Sequence, residues 1–170
     1  LLRDSNPLVK QNAVWALGFC GDDSMATTIK SLLKDRNTEV RRETVLALKR
    51  LNASQSAPAL MEALKTETEQ GVKYDIARTL GTFGDRGAVF VLMNVLTKEK
   101  SWYVKSGCVE ALGNIGGDMA MNALAKILVT DAGEDAGWAR TKAAWALTAI
   151  GPKSIPLLVR ALNDKEEGTR

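Results

Sequence analysis

Side chains able to do acid–base or metal chemistry are few and poorly grouped in this sequence. The 170 residues include no histidine, which removes the commonest general base and the commonest zinc ligand. No serine or cysteine has a base at a plausible spacing for nucleophilic catalysis. The sequence therefore predicts no catalytic residue, no metal site and no cofactor, and a non-enzymatic role is the favoured interpretation.

Acidic residues do occur in pairs and clusters, but between the helical patterns. Glu67 with Glu69, and Glu166 with Glu167, are interpreted as solvated linker charges. The segment 131–138 contains Asp131, Glu134 and Asp135 and is rich in glycine, yet its spacing does not match a Ca²⁺ loop with a closing Glu. It is predicted to be a surface loop. The glycine-rich 81–87 follows a helix rather than a strand, so it does not predict a phosphate-binding loop.

Composition is that of an ordinary folded protein. Hydrophobic residues make up 45% and charged residues 25%, and 23 basic against 20 acidic residues give a net charge of +3. This balance does not by itself indicate nucleic-acid binding. No apolar run reaches the roughly 18–20 residues that span a bilayer, so no membrane partner is expected. Cys20 and Cys108, the two cysteines, are expected to be buried thiols, which favours a reduced, cytoplasmic location.

One ten-residue pattern recurs along the chain and must position the remaining side chains. It reads apolar–basic–x–x–small–x–x–small–Leu–Gly, and its copies begin at Val9, Val40, Val72, Val104 and Ala139. Its leucine returns after 31, 32, 32 and 35 residues, at Leu17, Leu48, Leu80, Leu112 and Leu147. A second leucine returns after 31 to 34 residues, at Leu2, Leu33, Leu64, Leu96, Leu128 and Leu162. Two markers that share one period predict a stack of repeats.

Each repeat is predicted to contain two helices. In the first, apolar or small residues at positions 1, 5, 8, 9 and 12 of the pattern form one stripe, as at Val9, Ala13, Ala16, Leu17 and Cys20. This helix ends at residues that favour a left-handed backbone, namely Gly21, Asn52, Gly84, Gly116-Gly117 and Gly151-Pro152. The second helices are predicted at 24–33, 56–64, 88–96, 119–128 and 154–162.

These features predict an all-α fold, a right-handed α-solenoid of about five helix pairs. The whole chain, 1–170, is expected to be a single array with repeats at about 3–33, 34–64, 65–96, 97–128 and 129–162 and a partial unit at 163–170. Both end units look incomplete, and neither carries the polar outer face of a terminal repeat. We therefore expect the chain to be a piece of a longer array.

The pattern resembles the HEAT-like repeat of the phycobilisome (PBS) lyase family. Residues 35–48 carry the resemblance, as Asp–x–x–x–x–Val–Arg–x–x–x–x–x–Ala–Leu, together with the Gly-Asp turns that close the units. The resemblance extends over essentially the whole chain. It implies a curved surface used for protein–protein contact, and some members attach or detach bilin pigments. A metal-dependent oxygenase branch uses His–Glu pairs, which this histidine-free sequence lacks.

The family also implies that an acid and the following base join neighbouring repeats. Asp4 with Lys10 and Asp35 with Arg41 fit this element. In the third repeat the position of the acid is taken by Thr66 or Glu67, and in the fifth repeat the acid is displaced to Asp131. These residues are predicted to be structural rather than catalytic.

The resemblance further implies that the first helix of each repeat lines the concave face, where positions 3, 4, 7 and 11 are predicted to be unburied. Large aromatic residues that a core does not need are typical anchors of an interface. Trp102 and Trp138 have an alternative role, filling gaps between successive repeats. Positions 3 and 7 supply most of the predicted groove residues, and the residues just before the pattern helices add Trp102, Tyr103 and Trp138. The full predicted set is Gln11, Trp15, Arg42, Leu46, Tyr74, Arg78, Trp102, Tyr103, Glu110, Trp138, Thr141 and Trp145.

Three functions remain open on sequence grounds. The favoured one is a non-catalytic scaffold that binds a protein partner through an aromatic-lined concave groove. A bilin lyase or chaperone-like subunit is the second, since a tetrapyrrole would stack on such aromatic residues. A nucleic-acid-binding module is the third, because basic residues cluster in the second and third repeats, at Arg41, Arg42, Lys49, Arg50, Lys73 and Arg78.

Overall fold

Over the part of the chain that the structure describes, ten α-helices pack in consecutive pairs, which confirms the predicted helical solenoid. The computed structural model describes residues 1–22, 24–130 and 136–163, and within these ranges no strand occurs. The helices are Pro7–Cys20 (α1), Met25–Ile29 (α2), Thr38–Arg50 (α3), Ala57–Thr66 (α4), Gln70–Phe83 (α5), Ala88–Lys98 (α6), Trp102–Ile115 (α7), Gly117–Thr130 (α8), Ala136–Ile150 (α9) and Ile155–Leu162 (α10). None of these helices is long and apolar enough to cross a bilayer.

Local sequence signals set most helix ends. The Asn6 side chain accepts the amide of Leu8 and caps α1, and Asn37 caps α3 in the same way. At the other ends the backbone is left-handed, with φ of 49° at Asn52 and 66° at Gly84, as the stop signals predict. Gly21 is an exception, because it is extended with φ of −87°.

The second helix of the first repeat differs from its prediction. A single helix is expected over 24–33, but the chain forms the short helix α2 and then a 3-10 helix at Lys30–Lys34. The run Thr27-Thr28-Ile29 is β-branched, and such residues lose side-chain freedom in an α-helix. Local propensity therefore explains why this helix is weaker than its counterparts.

The helices form two layers with the core between them. Odd-numbered helices, which carry the ten-residue pattern, pack on one another, and even-numbered helices form the second layer. In α3, α5 and α7 the residues at positions 1, 5, 8 and 9 are buried, as predicted. Position 6 is buried as well, at Val14, Val45, Ala77 and Val109, although the apolar stripe of the pattern does not include it.

The two cysteines differ in exposure. Cys108 is fully buried in α7, and burial, with a smaller contribution from Glu99, raises the pKa of its thiol to about 12. Cys20, expected to be buried, is exposed at position 12 of the first repeat.

Small residues let the odd-numbered helices approach closely. A Cβ atom added at Gly81 would lie 2.6 Å from the Ala111 Cα, and one at Gly18 would lie 2.8 Å from the Ala47 Cβ. Successive odd-numbered helices pack along much of their length, whereas successive even-numbered helices meet over a few residues. Because a stack is shorter on its more closely packed side, we expect the array to curve towards the odd-numbered helices.

Ion pairs link each repeat to the next in a ladder. Lys10 pairs with Asp35, Arg41 with Glu67 and Lys73 with Glu99, and each acid lies just before the next odd-numbered helix. Arg41 is held at both ends of its guanidinium, with Nε and Nη2 each 2.8 Å from a Glu67 oxygen. The other Glu67 partners are the amides of Thr68 and Glu69.

This arrangement corrects two predictions. The carboxylate of Asp35 pairs with the base of the preceding repeat, Lys10, rather than with the following Arg41, which donates to the Asp35 main-chain oxygen. Asp4 accepts the amide of Asn6 instead of joining Lys10. Glu67, interpreted from the sequence as a solvated linker charge, has a side chain only 4% exposed and belongs to the ladder.

The ladder lowers the pKa of its acids. Burial alone would raise the pKa of Glu67, but the hydrogen bonds from Arg41 and from two amides outweigh it and hold the pKa below its ordinary value. Asp35 follows the same pattern, with burial opposed by Lys10 and the amide of Asn37. For Glu99 the hydrogen bond from Lys73 is the largest cause of the lowered pKa.

The close approach at Gly81 gives a first prediction. Gly81→Ala should lower the free energy of unfolding by about 1–3 kcal/mol, because its Cβ overlaps the backbone of Ala111. Gly71→Ala in the same helix meets nothing within 4 Å, and it should stabilise by about 0.5–1 kcal/mol through helix propensity. Urea unfolding of both variants measures the difference. Equal effects at the two sites would contradict the proposed helix contact.

The ladder gives a second prediction. Glu67→Gln should cost about 2–3 kcal/mol at pH 7, because it leaves Arg41 half-paired in a largely buried position. The exposed neighbour Glu69 supplies the control, and Glu69→Gln should change stability little.

Acid titration separates a charge effect from a packing effect. The pKa of Glu67 is lower in the folded chain, so its contribution is complete above its ordinary pKa of 4.5 and is lost as the pH falls through the lower folded value. Glu67→Gln should therefore lose less stability than the native chain between pH 7 and pH 3. Parallel losses in urea titrations at these two pH values would show that the carboxylate charge contributes nothing.

Candidate functional site

Positions 3, 4, 7 and 11 of the odd-numbered helices, except the buried Gly107, form one surface together with the residues just before position 1, Trp102, Tyr103 and Trp138. This surface is called here the odd face. Trp15 is 53% exposed, Trp145 63% and Trp102 56%. Arg42, Glu110 and Thr141 are also exposed, and the other predicted groove residues are half-buried, namely Gln11, Leu46, Tyr74, Arg78, Tyr103 and Trp138. None of the twelve predicted residues belongs to the buried core.

The odd face contains a cleft between α5, α7 and α9. Its volume is about 360 Å³. The main side chains along it come from three successive repeats at the positions predicted to be unburied, and they are Tyr74, Ser106, Glu110, Asn114, Lys142 and Trp145. The cleft floor holds small residues, Gly113 and Ala146, where α7 and α9 approach.

Four aromatic side chains at one end of the cleft touch one another across three repeats. The rings of Tyr74 and Tyr103 stack with centroids 4.2 Å apart. Trp102 meets Tyr103 at 6.0 Å and Trp138 at 6.1 Å, both edge to face. The Trp102–Trp138 contact does bridge two repeats, as the gap-filling alternative requires, although Trp102 remains mostly exposed. We call these four residues the aromatic cluster.

Gly107 makes room for this cluster. A Cβ atom added there would lie 2.8 Å from the Tyr74 ring. Tyr74 therefore lies directly over the α7 backbone, where Arg78 covers its ring with the guanidinium carbon 5.5 Å from the centroid. These contacts fix the orientation of the Tyr74 ring at the cleft.

A separate aromatic pair lies on α1. Trp15 and Phe19 are 4.7 Å apart, and Arg50 stacks on Phe19 at 4.6 Å. Phe19 is 60% exposed. It is absent from the groove residues predicted from sequence, as are Asn114 and Lys142, although the rule of positions 4 and 11 includes all three. The aromatic residues of the odd face thus form two groups with repeat 2 between them.

Two arginines of the odd face, Arg42 and Arg78, are paired with acids of the next repeat. The Nε atom of Arg42 donates to Asp75 at 2.8 Å, and that of Arg78 donates to Glu110 at 2.9 Å. The hydrogen bond with Asp75 raises the pKa of Arg42. Burial alone would lower the pKa of Arg78, but the Glu110 bond and charge raise it. Both arginines therefore remain charged and neutralised by a neighbour.

The basic residues of the second and third repeats do not form a free cationic patch. Besides Arg42 and Arg78, three more of the six are in ion pairs, Arg41 with Glu67, Arg50 with Glu43 and Lys73 with Glu99. Lys49 is the remaining member. Attraction for phosphate depends on uncompensated positive charge, which this cluster largely lacks.

Within the described ranges no three His, Cys, Asp or Glu side chains group as a metal site would require. Asp131, Glu134 and Asp135 of the predicted surface loop lie outside the described residues, as do Glu166, Glu167 and the partial unit beyond 163. The end of the predicted loop, 136–138, is instead the start of α9. The chemistry of the odd face is that of aromatic rings, amides and ion pairs.

Two packed layers of repeated helix pairs define an α-solenoid repeat protein. Residues 1–80 and 68–141 match the family model of HEAT repeats, and residues 139–164 match that of the PBS lyase HEAT-like repeat. The chain belongs to the HEAT-repeat family, which confirms the family recognised from the sequence.

Relatives and solved structures support this membership. The deoxyhypusine hydroxylase of Arabidopsis thaliana is 29% identical over 165 residues, which cover 95% of this chain and 50% of the relative. This chain therefore spans about half the length of the curated relative it matches.

Two solved structures share the fold. The complex of CpcE and CpcF of phycocyanin lyase from Nostoc sp. PCC7120 matches with a TM-score of 0.69 at 22% identity, over 97% of this chain and 68% of that one. An engineered protein matches with a TM-score of 0.58 at 22% identity, over 99% and 89% of the two chains.

The exposure of two tryptophans gives a third prediction. Trp15→Ala and Trp145→Ala should each change the free energy of unfolding by less than about 1 kcal/mol, since most of each side chain is solvated. Leu147→Ala, two residues from Trp145 but fully buried, should cost about 2–5 kcal/mol. Thermal and urea unfolding of the three variants measure this. A loss at Trp145 as large as that at Leu147 would place Trp145 in the core.

Proposed function

We propose that this chain is a non-catalytic scaffold module that binds a protein partner through the odd face. The observation that carries the proposal is the exposure of large aromatic side chains, Trp15, Trp102 and Trp145, on one layer of the stack. Exposed tryptophans beside a preformed cleft are typical of binding surfaces, because they supply large contact area with few rotatable bonds.

Charge pairing favours a protein over a nucleic acid. Five of the six clustered basic residues already hold carboxylates. Basic residues gain affinity for a duplex by neutralising phosphates and releasing the bound counterions. Here the phosphates would first have to displace the paired carboxylates, so little affinity would be gained. Aromatic, amide and compensated charged groups instead match the mixed character of protein interfaces.

Relatives are consistent with a binding role. CpcE forms a complex with CpcF, as the matched structure records. The deoxyhypusine hydroxylase of Arabidopsis thaliana bears an enzyme's name, but this sequence contains no histidine. A scaffold role accounts for this residue set more simply than a metal-dependent reaction does.

Pigment handling is the second candidate function. Tyr74 and Trp145 present rings to the same cleft, and flat conjugated ligands stack on such rings. A shift in the visible spectrum of a bilin on mixing with the chain, lost in Trp145→Ala, would favour this role. An unchanged spectrum would eliminate it.

The scaffold function is tested by paired double variants, which give a fourth prediction. Trp15→Ala with Trp145→Ala should abolish capture of a specific partner from the source cell. The control is Phe90→Ala with Met119→Ala, which removes two apolar side chains that are 76% and 63% exposed on even-numbered helices. It should leave capture intact.

Crosslinking then locates the contact. A photoreactive side chain at Thr141, on the odd face, should crosslink to the captured partner, and one at Lys153 should not. If capture survives the tryptophan variants, or is lost only in the control, the odd face is not the binding surface. Salt-sensitive binding of labelled duplex DNA would point to nucleic acid instead.

A further inference from the structure

We propose that the cleft between α7 and α9 binds an extended protein segment in which an acidic side chain lies next to a large apolar one. This inference rests on the proposed function and specifies the chemistry of the partner. Three properties of the cleft carry it: a lysine and a side-chain amide that have no polar partner among the described residues, and an aromatic wall.

The charge of the cleft comes from Lys142. Its ammonium lies 4.8 Å from the centre of the Trp145 ring, and no carboxylate of the described residues pairs with it. The acid that lines the cleft, Glu110, is already held by Arg78. With Arg78 counted beside the cleft as the partner of Glu110, the described residues there carry one net positive charge, that of Lys142, and an acidic side chain complements it.

Trp145 supplies the apolar wall. Its ring lies under the ammonium of Lys142, which is three residues earlier on the same helix. The Trp145 side chain nevertheless remains 63% exposed. A large apolar side chain placed against this ring would be covered on its other side by the small residues of the cleft floor, Gly113 and Ala146. Lys142 is then within reach of a carboxylate on the adjacent residue of the same segment.

Asn114 supplies a polar contact for a main chain. Its side chain is exposed in the cleft, and no hydrogen bond to it is found within the described residues. A side-chain amide has both donors and an acceptor, so it can bind the N–H and the C=O of one extended residue. Ser106, by contrast, already donates its hydroxyl to the Tyr103 carbonyl at 2.7 Å.

The shape of the cleft favours a polypeptide over a small molecule. Small-molecule sites enclose most of their ligand, whereas Glu110, Asn114 and Trp145 are all exposed to solvent. A segment bound here would be covered on one side and could continue past Tyr74 onto the exposed Trp102 of the aromatic cluster. Binding along a surface of this kind is typical of extended peptides.

The test uses random peptides displayed on phage and selected on the full chain, with counter-selection on Trp145→Ala. Enriched sequences should combine Asp or Glu with an adjacent Leu, Phe, Trp or Tyr. A synthetic peptide from this set is then compared with two versions in which the acid is replaced by its amide or by Lys. Fluorescence anisotropy should give an affinity about tenfold or more in favour of the acidic peptide.

Charge variants identify the cleft residue responsible. Lys142→Glu should weaken the acidic peptide about tenfold or more and strengthen the Lys-containing one, and Lys142→Arg should retain the native preference. Lys153→Glu makes the same charge change at an exposed lysine of the same repeat, outside the cleft, and should have no comparable effect.

The outcomes separate this inference from the function on which it rests. Peptides that depend on Trp145 but show no preference for acids, or that ignore Lys142→Glu, would overturn the acidic segment and leave the odd face as a protein-binding surface. A selection that yields no peptide dependent on Trp145, together with partner capture that survives the tryptophan variants, would overturn both.

Discussion

Close contact between successive odd-numbered helices is the constraint on which this structure depends. Glycine is required at position 81, because even an alanine Cβ there would lie 2.6 Å from the Ala111 Cα and would force the two helices apart. This contact sets the spacing between the odd-numbered helices. The even-numbered helices, which meet over fewer residues, follow the same spacing. The spacing in turn decides which side chains lie between helices and which face solvent. Small residues at positions 8 and 10 thereby expose positions 3, 7 and 11.

The ion-pair ladder complements this packing by fixing the loops. Each acid does two things, since it accepts main-chain amides at the start of one odd-numbered helix and pairs with a base on the previous one. One acidic side chain therefore both fixes the start of a helix and links that helix to the previous repeat. In a solenoid, where stability is a sum of neighbour terms, such a link adds a directional contact to a core that is otherwise apolar. Arg41 with Glu67 is its most buried member.

Sequence was sufficient for the helix pairs, most of their ends and the exposure of the odd face, because these follow from local period and capping. It failed where the answer depended on which repeat a side chain reaches. Asp35 could point to Arg41 or to Lys10, and only the stacking geometry selects Lys10. For the same reason Glu67 was interpreted as solvated. The rule of positions contained Phe19, Asn114 and Lys142, but the distinction between paired and unpaired charges requires the neighbouring repeat to be in place.

This dependence on neighbours explains why the odd face has a specific chemical character. Arg42 and Arg78 would each be an attractive anion site on an isolated helix, and the next repeat neutralises both. Lys142 stacks on Trp145 and pairs with no acid of the described residues, so among these residues a positive charge remains at the cleft formed with α7. Cation–π contact stabilises the ammonium without cancelling its charge. Stacking of repeats thus neutralises the arginine charges along most of the odd face, while the charge of Lys142 remains beside the exposed ring of Trp145. This combination makes the cleft between α5, α7 and α9 chemically distinct from the rest of the odd face.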